Sequence, residues 1–374
     1  MTASLFDHGV STEISRESST VTAFEWHNKA FGNVLGSHPR FDLLLENTVY
    51  PFAHEACVYF PSSEELFITS NRLQTDDKQR VQISRISLAE THDKYQSATQ
   101  HEIRCDLIEM GNGGVNYGDG ILFCAQGSRT SPSGLFWMSK NAPHGTSTIL
   151  TDYYGAPFNA VNDVVVSKID GSIWFTDPSY GAEQGYKDAP ELPNQVYRYH
   201  PPGDDKADAT LRAVADNFGH PNGLCFSPDE SILYVTDTDK VHGSGQIRHD
   251  RPSSIYAFDI IRRHGQPFVC NRRLFAFIEA GIPDGIKCDT MGRVYSGCGD
   301  GIHVWSPGGV LLGRLQIEGG VANFCFGRKG EIYALNEHRL WKITIASHIT
   351  GALLADLVTS EKATHNCTLV PSQI

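Results

Sequence analysis

Apolar and polar positions along this chain change over in short runs, and helical periodicity is confined to brief stretches. Six runs share one design: ELFITS, ILFCAQ, SIWFTD, ILYVTD, RVYSGC and EIYALN. Their aromatic positions are Phe67, Phe123, Trp174, Tyr234, Tyr295 and Tyr333, separated by 56, 51, 60, 61 and 38 residues. Compact turns precede them at Ser63-Glu64, Asp170-Gly171, Asp229-Glu230 and Gly330-Glu331, with Asp119-Gly120 and Met291-Gly292 as variants. Gly and Asp supply the positive φ that tight hairpins need, so each run reads as the second strand of a hairpin. A strand repeat of about 40–60 residues predicts an all-β fold, a six-bladed β-propeller with one blade per repeat. A pair of β-sandwiches would leave six copies of one hairpin unexplained. The repeats set a single propeller domain over residues 46–374, behind an N-terminal extension of residues 1–45. Short helices are expected only within 23–36 and 87–99, and the polar loop TDKVHGSGQIRHDRPS is expected to overhang one face.

Composition narrows the function. With 374 residues, 40% of them hydrophobic and 20% charged, the chain is globular rather than disordered or coiled-coil. A formal charge of −12, with no Lys/Arg cluster, argues against nucleic acid or an anionic membrane as partner. The partner expected is a small-molecule substrate, since a carboxylate-bearing channel argues against a mere interaction module, and the oligomeric state leaves no trace in the sequence. No apolar run approaches the roughly 18 residues of a membrane span, and the first residues lack a signal-peptide pattern. Nine cysteines, none in CxxC spacing, read as buried free thiols in a reducing compartment, so a cytoplasmic location is expected.

Ten to twelve residues before each aromatic, where the first strand of each hairpin begins, stand Glu55, Asn112, Asn162, Asn222, Asp284 and Asn323. The innermost strands of a propeller line its central channel, so equivalent positions converge on one axis. Two carboxylates and several amide oxygens meeting there make a hard, oxygen-only cage suited to Ca²⁺, whereas Mg²⁺ prefers to keep water and Zn²⁺ prefers His or Cys. Taken singly, Asn222-Gly223 and Asp284-Gly285 are ordinary turn dipeptides, and Asn162-Asp163 could cap a turn. Glu55 resists that reading, because PFAHEACVYF is an apolar context for a carboxylate.

The stretches HEACVYF, FNAVNDVVV with IWFTDPSYG six residues on, HPNGLCFSPDE, and IPDGIKCD with RVYSGCGDGIHVW three residues on resemble the SMP-30/gluconolactonase/LRE-like family, fungal lactonohydrolases most of all. The resemblance runs from about residue 45 to 345, and the block 282–306 is its most specific part. It implies a six-bladed propeller with one catalytic Ca²⁺ per chain, held by Glu55, Asn162, Asn222 and Asp284. It also implies a lactonase in which Asp284 activates water and Glu55 supplies charge and geometry. The place where a related phosphotriesterase has an Asp for a second ion is taken by Lys287, so no second ion is expected there.

Asn112 and Asn323 read as substrate contacts, with distant-ligand or water-bridged roles open. Tyr154, Tyr180, Arg129 and Arg251 are placed on loops that shape the pocket, from position alone; Tyr154 and Arg129 are taken as substrate-binding. His54, by strand alternation, should face away from the channel and bridge blades. Asp163 should brace a turn, and Asp177 and Asp237 should end their strands in turn or inter-blade hydrogen bonds. The alternatives to a lactonase on the same site are phosphotriester hydrolysis and a non-hydrolytic cyclisation in fungal secondary metabolism.

Overall fold

The computed structural model describes residues 21–74, 79–88, 98–202 and 209–355. Six antiparallel sheets of four or five strands are arranged as the blades of a six-bladed propeller. Blade one runs from Glu55–Phe60 to Ala98–Ile103, blade two from Gly111–Tyr117 to Thr146–Leu150, and blade three from Val164–Val166 to Thr210–Ala215. Blade four spans Pro221–Phe226 to Gln266–Phe277, blade five starts at Ile286–Cys288, and blade six at Phe324–Phe326. The six aromatics all lie on the second strand of their blade and are 0–2% exposed, as wedges between neighbouring sheets. The turns before them carry positive φ at Glu64, Gly118, Gly171, Glu230, Gly292 and Gly330. In blade two the left-handed residue is therefore Gly118, one position before the expected pair.

The ring is closed by the start of the chain. Arg40–Glu46 pairs with Arg339–Thr344 as the outermost strand of blade six, in a register that sets Phe41 opposite Ile343. Thr22–Trp26 adds a fifth strand to blade five, against Leu311–Ile317. Residues 22–46 are thus part of the propeller rather than an extension ahead of it. Phe24 stacks on Phe41 with ring centroids 4.5 Å apart, fixing the two closing strands to each other. Between them lie two helical turns, Lys29–Phe31 and Gly32–Leu35, inside the expected helical segment. In the other expected segment, residues 89–97 lie outside the described residues, and its flanks are the paired strands Ile83–Leu88 and Ala98–Ile103. No helix among the described residues is long and apolar enough to cross a membrane.

Candidate active site

The innermost strands are short, and their first residues sit at one end of the axial channel, the upper end hereafter. Here a cavity of about 300 Å³ is bordered by Glu55, Asn112, Asn162, Asn222 and Asp284, one from each of blades one to five. The strands reach this geometry by close backbone approach. Gly113 donates its N–H to the Asn162 carbonyl (2.9 Å), and Gly285 donates to Ala322 (2.8 Å), each across a blade boundary. A Cβ on Gly113 would fall 2.5 Å from Asp163 Oδ1, on Gly223 2.4 Å from the Asp284 carbonyl, and on Gly285 2.3 Å from Asn323 Oδ1. None of these glycines has positive φ. Asn222-Gly223 and Asp284-Gly285 are therefore not turns; their glycines let neighbouring inner strands touch.

Two further devices aim the side chains. Pairing of the first two strands shifts register between Glu55 and Val58 and between Pro221 and Leu224, and the first shift is accompanied by left-handed backbone at Ala56 and Cys57. Such bulges re-aim side chains. In three cases a buried threonine of the preceding blade then clamps the next blade's cavity residue by its backbone. Thr69 donates to the Asn112 carbonyl (3.1 Å), Thr176 to that of Asn222 (2.6 Å) and Thr236 to that of Asp284 (3.0 Å). Asp177 accepts from the N–H groups of Asn159 and Ala160, and Asp237 from those of Gly219 and His220, so each carboxylate ties the loop entering its own blade.

The electrostatics are those of a site short of positive charge. Burial, followed by the neighbouring Asp284 carboxyl, raises the pKa of Glu55. Burial also raises that of Asp284; His54 opposes the rise and Asp163 adds to it. Three acceptor oxygens of the cavity lining, Asn112 Oδ1, Asn162 Oδ1 and Asp284 Oδ1, are buried without a hydrogen-bond partner, and so is Asp163 Oδ2 on the residue after Asn162. Orphaned acceptors of this kind cost free energy unless something positive satisfies them. The carboxylate and carboxamide set fits a hard divalent cation with Glu55, Asn162, Asn222 and Asp284 as its protein ligands.

The remaining sequence candidates divide cleanly. Asn112 borders the cavity. Asn323 does not: it is fully buried, donates Nδ2 to Glu55 Oε2 (2.7 Å) and accepts from the Phe324 N–H, so it orients Glu55 instead of meeting substrate. Tyr154 is 76% exposed and donates its hydroxyl to the Leu211 carbonyl, away from the cavity. Arg129 is also exposed, pairs with Asp188, and borders a separate surface hollow. Arg251 stands 3.7 Å from Asp239 and is not among the lining residues. Position on a loop between strands did not tell which loops turn inward.

His54 both borders the cavity and bridges blades, its Nδ1 2.7 Å from Glu337 Oε1. Burial works against its charge, but Glu337 outweighs it and pushes the imidazole up to about 10. His54 lies one residue ahead of the strand Glu55–Phe60, so the alternation that pointed it outward does not reach it. Asp163 accepts the Val164 N–H at Oδ1 (2.9 Å), as a turn brace would, and its field also reaches Glu55 and Asp284. Tyr180 borders the cavity, with its ring stacked on His220 and its hydroxyl paired with Thr238. Missed from the sequence were Gln126, Gln184, Asn71, Arg72 and His242, which complete a polar wall. His242 comes from the polar loop expected to overhang one face, and its residues Val241, Gly243 and Gly245 border the cavity too.

His220, Asp239 and His242 gather their nitrogen and oxygen atoms within 4.8 Å of one another. Both His220 nitrogens face carboxylates, Glu183 at 2.6 Å and Asp239 at 2.8 Å, and its pKa is raised against the effect of burial. With both nitrogens engaged as donors, this is an ion-paired strut between the helical turn Tyr180–Glu183 and the loop, not a cation cage.

The sequence profile of the SMP-30/Gluconolactonase/LRE-like region matches residues 55–333, from the first inner strand to the last aromatic wedge. The chain belongs to this family. It is 28% identical to the lactonohydrolase oryL of Aspergillus oryzae over 333 residues, 83% of this chain and 72% of the relative. It is 28% identical to a gluconolactonase of Zymomonas mobilis over 221 residues, 55% of this chain and 59% of the relative. Among solved structures, a gluconolactonase of Xanthomonas campestris superposes with a TM-score of 0.66 at 25% identity, covering 86% of this chain and 94% of that one. The calcium-binding protein regucalcin of Agrobacterium tumefaciens shares the fold at 17% identity, with a TM-score of 0.54 over 83% of this chain and 95% of that one.

Proposed function

We propose that this chain is a lactone hydrolase acting with one Ca²⁺, held by Glu55, Asn162, Asn222 and Asp284. The observation that carries the reading is the group of orphaned, buried acceptor oxygens on the cavity floor beside two carboxyls of raised pKa. Membership of a family with relatives called lactonohydrolase and gluconolactonase supplies the reaction class. When bound, the cation would polarise the lactone carbonyl and balance the charge that develops on its oxygen.

Asp284 takes the proton of the attacking water at its carboxylate. Glu55 supplies the second negative charge and is held at one angle by Asn323. Asn162 and Asn222 add oxygen donors without adding charge. The imidazolium of His54 offsets part of the negative field while Glu337 holds its ring in place. Asn112, Gln126, Gln184 and His242 offer a polar wall suited to a hydroxylated lactone of the aldonolactone or pantolactone kind.

A hydrolysis screen over aldonolactones, pantolactone, aromatic lactones and a fluorophosphate, with and without calcium, tests the reading. Turnover of a hydroxylated lactone that disappears on chelation is the expected result. Turnover of the fluorophosphate alone would move the site to phosphoester chemistry, and no hydrolysis of any substrate would overturn the proposal. In single turnover with ¹⁸O-water, label should enter the product acid and not the Asp284 side chain.

A further inference from the structure

The opposite, lower end of the channel holds a second cavity of about 240 Å³. Every blade contributes an apolar or thiol wall residue from its inner strand: Val58, Val115, Val165, Leu224, Cys288 and Phe326. The segment Gly351–Leu354 borders it as well. Of the charged side chains in this lining, one lacks a bonded partner. Lys287 is half-buried and borders the cavity, and its ammonium has no hydrogen bond and no ion pair within 4 Å among the described residues. Its charge also acts on Asp163 and on the Cys288 and Cys325 thiols. The other ionic groups of the lining are occupied by the wall itself. Glu230 accepts from Ser167 Oγ and from the Lys168 N–H, both at 2.6 Å, and the Lys168 ammonium donates to the Pro228 carbonyl.

An ammonium with no hydrogen-bond or ion-pair partner beside an apolar space is unfavourable, with only the more distant Asp163 carboxylate to offset it, and so is apolar wall left against water. One ligand relieves both. We propose that the lower cavity binds an organic monocarboxylate, its carboxylate on the Lys287 ammonium and its apolar body along the wall of Val58, Val115, Leu224 and Phe326. The size follows from the volume: an apolar cavity of about 150 Å³ accepts a benzene molecule, so this one takes a ring of that size or a short alkyl chain together with its carboxylate. The site lies at the other end of the channel from the proposed lactone pocket, and it stands whether or not the lactonase reading does.

Sodium octanoate and sodium benzoate are the probes, with octan-1-ol as the uncharged comparison, titrated calorimetrically into the calcium-supplemented full chain. The expected result is octanoate binding with a Kd of about 1 mM or tighter, and octan-1-ol at least about tenfold weaker because it cannot pair with the ammonium. Lys287→Met should weaken octanoate by about tenfold or more while Lys287→Arg retains it. Val166→Phe, which fills the lower cavity from its wall, should abolish binding without touching any charge. Thermal melts establish that each variant folds, and the Val166 variant keeps the test open should Lys287→Met not fold. Three results would each overturn the proposal: no binding at about 10 mM, octanoate affinity unchanged in Lys287→Met, or binding that survives Val166→Phe and so belongs to the upper end.

Discussion

At the upper end of the channel the inner strands carry Glu55, Asn222, Asp284 and Asn323; two to four residues further along the same strands stand Cys57, Cys225, Cys288 and Cys325. At about 3.3 Å per residue, that step is about 7–13 Å along the axis. Over this distance the lining changes from orphaned oxygens to valines and thiols. The thiols meet in pairs across blade seams, Cys57 with Cys325 at 3.3 Å and Cys225 with Cys288 at 3.7 Å. Burial, then contact with Cys57, raises the pKa of Cys325; contact with Cys225, then burial, raises that of Cys288, so both stay protonated and inert. A propeller offers six equivalent positions at each level of its axis. The fold therefore sets where a site can be, and the side chains at one level decide whether it is one.

The sharpest break of that contrast is Asp284→Asn, which keeps an oxygen toward the cavity but removes the proton acceptor. Turnover should fall by about 10²–10⁴-fold, measured as kcat on whichever lactone the screen yields, with cation affinity falling less. Glu55→Gln should act first through cation affinity, so excess calcium should partly restore its rate. A rate for Asp284→Asn near wild type would remove it from the reaction.

Chelation comes next. If one ion ties residues from four blades together, removing it should lower the melting temperature, by the equivalent of about 2.7 kcal/mol for an ion present at about 100 times its Kd. The pH dependence has a defined sign. Glu55 and Asp284 have folded pKa values raised above their unfolded ones, so in chelated protein their protonated forms contribute stability. That contribution is full below the ordinary carboxylate range and is lost as pH rises through the raised values. Melting of the chelated protein should therefore fall between about pH 5 and pH 8, and added calcium should flatten the fall. A chelator that shifts neither the midpoint nor its pH slope would count against the cation.

Thr236→Val tests the threonine clamp. It removes a donor from the buried Asp284 carbonyl and should cost about 1–3 kcal/mol in denaturant unfolding, with weaker cation binding in proportion. At the lower end, Cys325→Ala removes one sulfur from a packed seam and should cost only about 1 kcal/mol, with turnover unchanged. Smallest of all should be Tyr154→Phe and Arg129→Ala, each within about 0.5 kcal/mol of wild type in stability and equal to it in rate. A loss of turnover in either would redraw the cavity wall.

The sequence by itself determined the blade count, the aromatic wedge of each blade and the residues at the upper level, because the hairpin repeats and side chains at equal offsets in a repeat converge in space. It carried the family as well, in stretches that run through every repeat. What it could not decide were contacts that join distant parts of the chain. Ring closure sets Phe41 against Ile343, so the first strands of the chain belong to the last blades although no repeat marks them. Asn323 shares its offset with the ligand candidates, yet its amide turns to Glu55, since only packing decides which of six equivalent side chains enters the cavity. His54 borders the cavity where alternation pointed it outward, because it stands ahead of the first inner strand and outside its pleat. Tyr154 and Arg129 show the same limit on the loops, whose direction is set by neighbouring blades and not by their own residues.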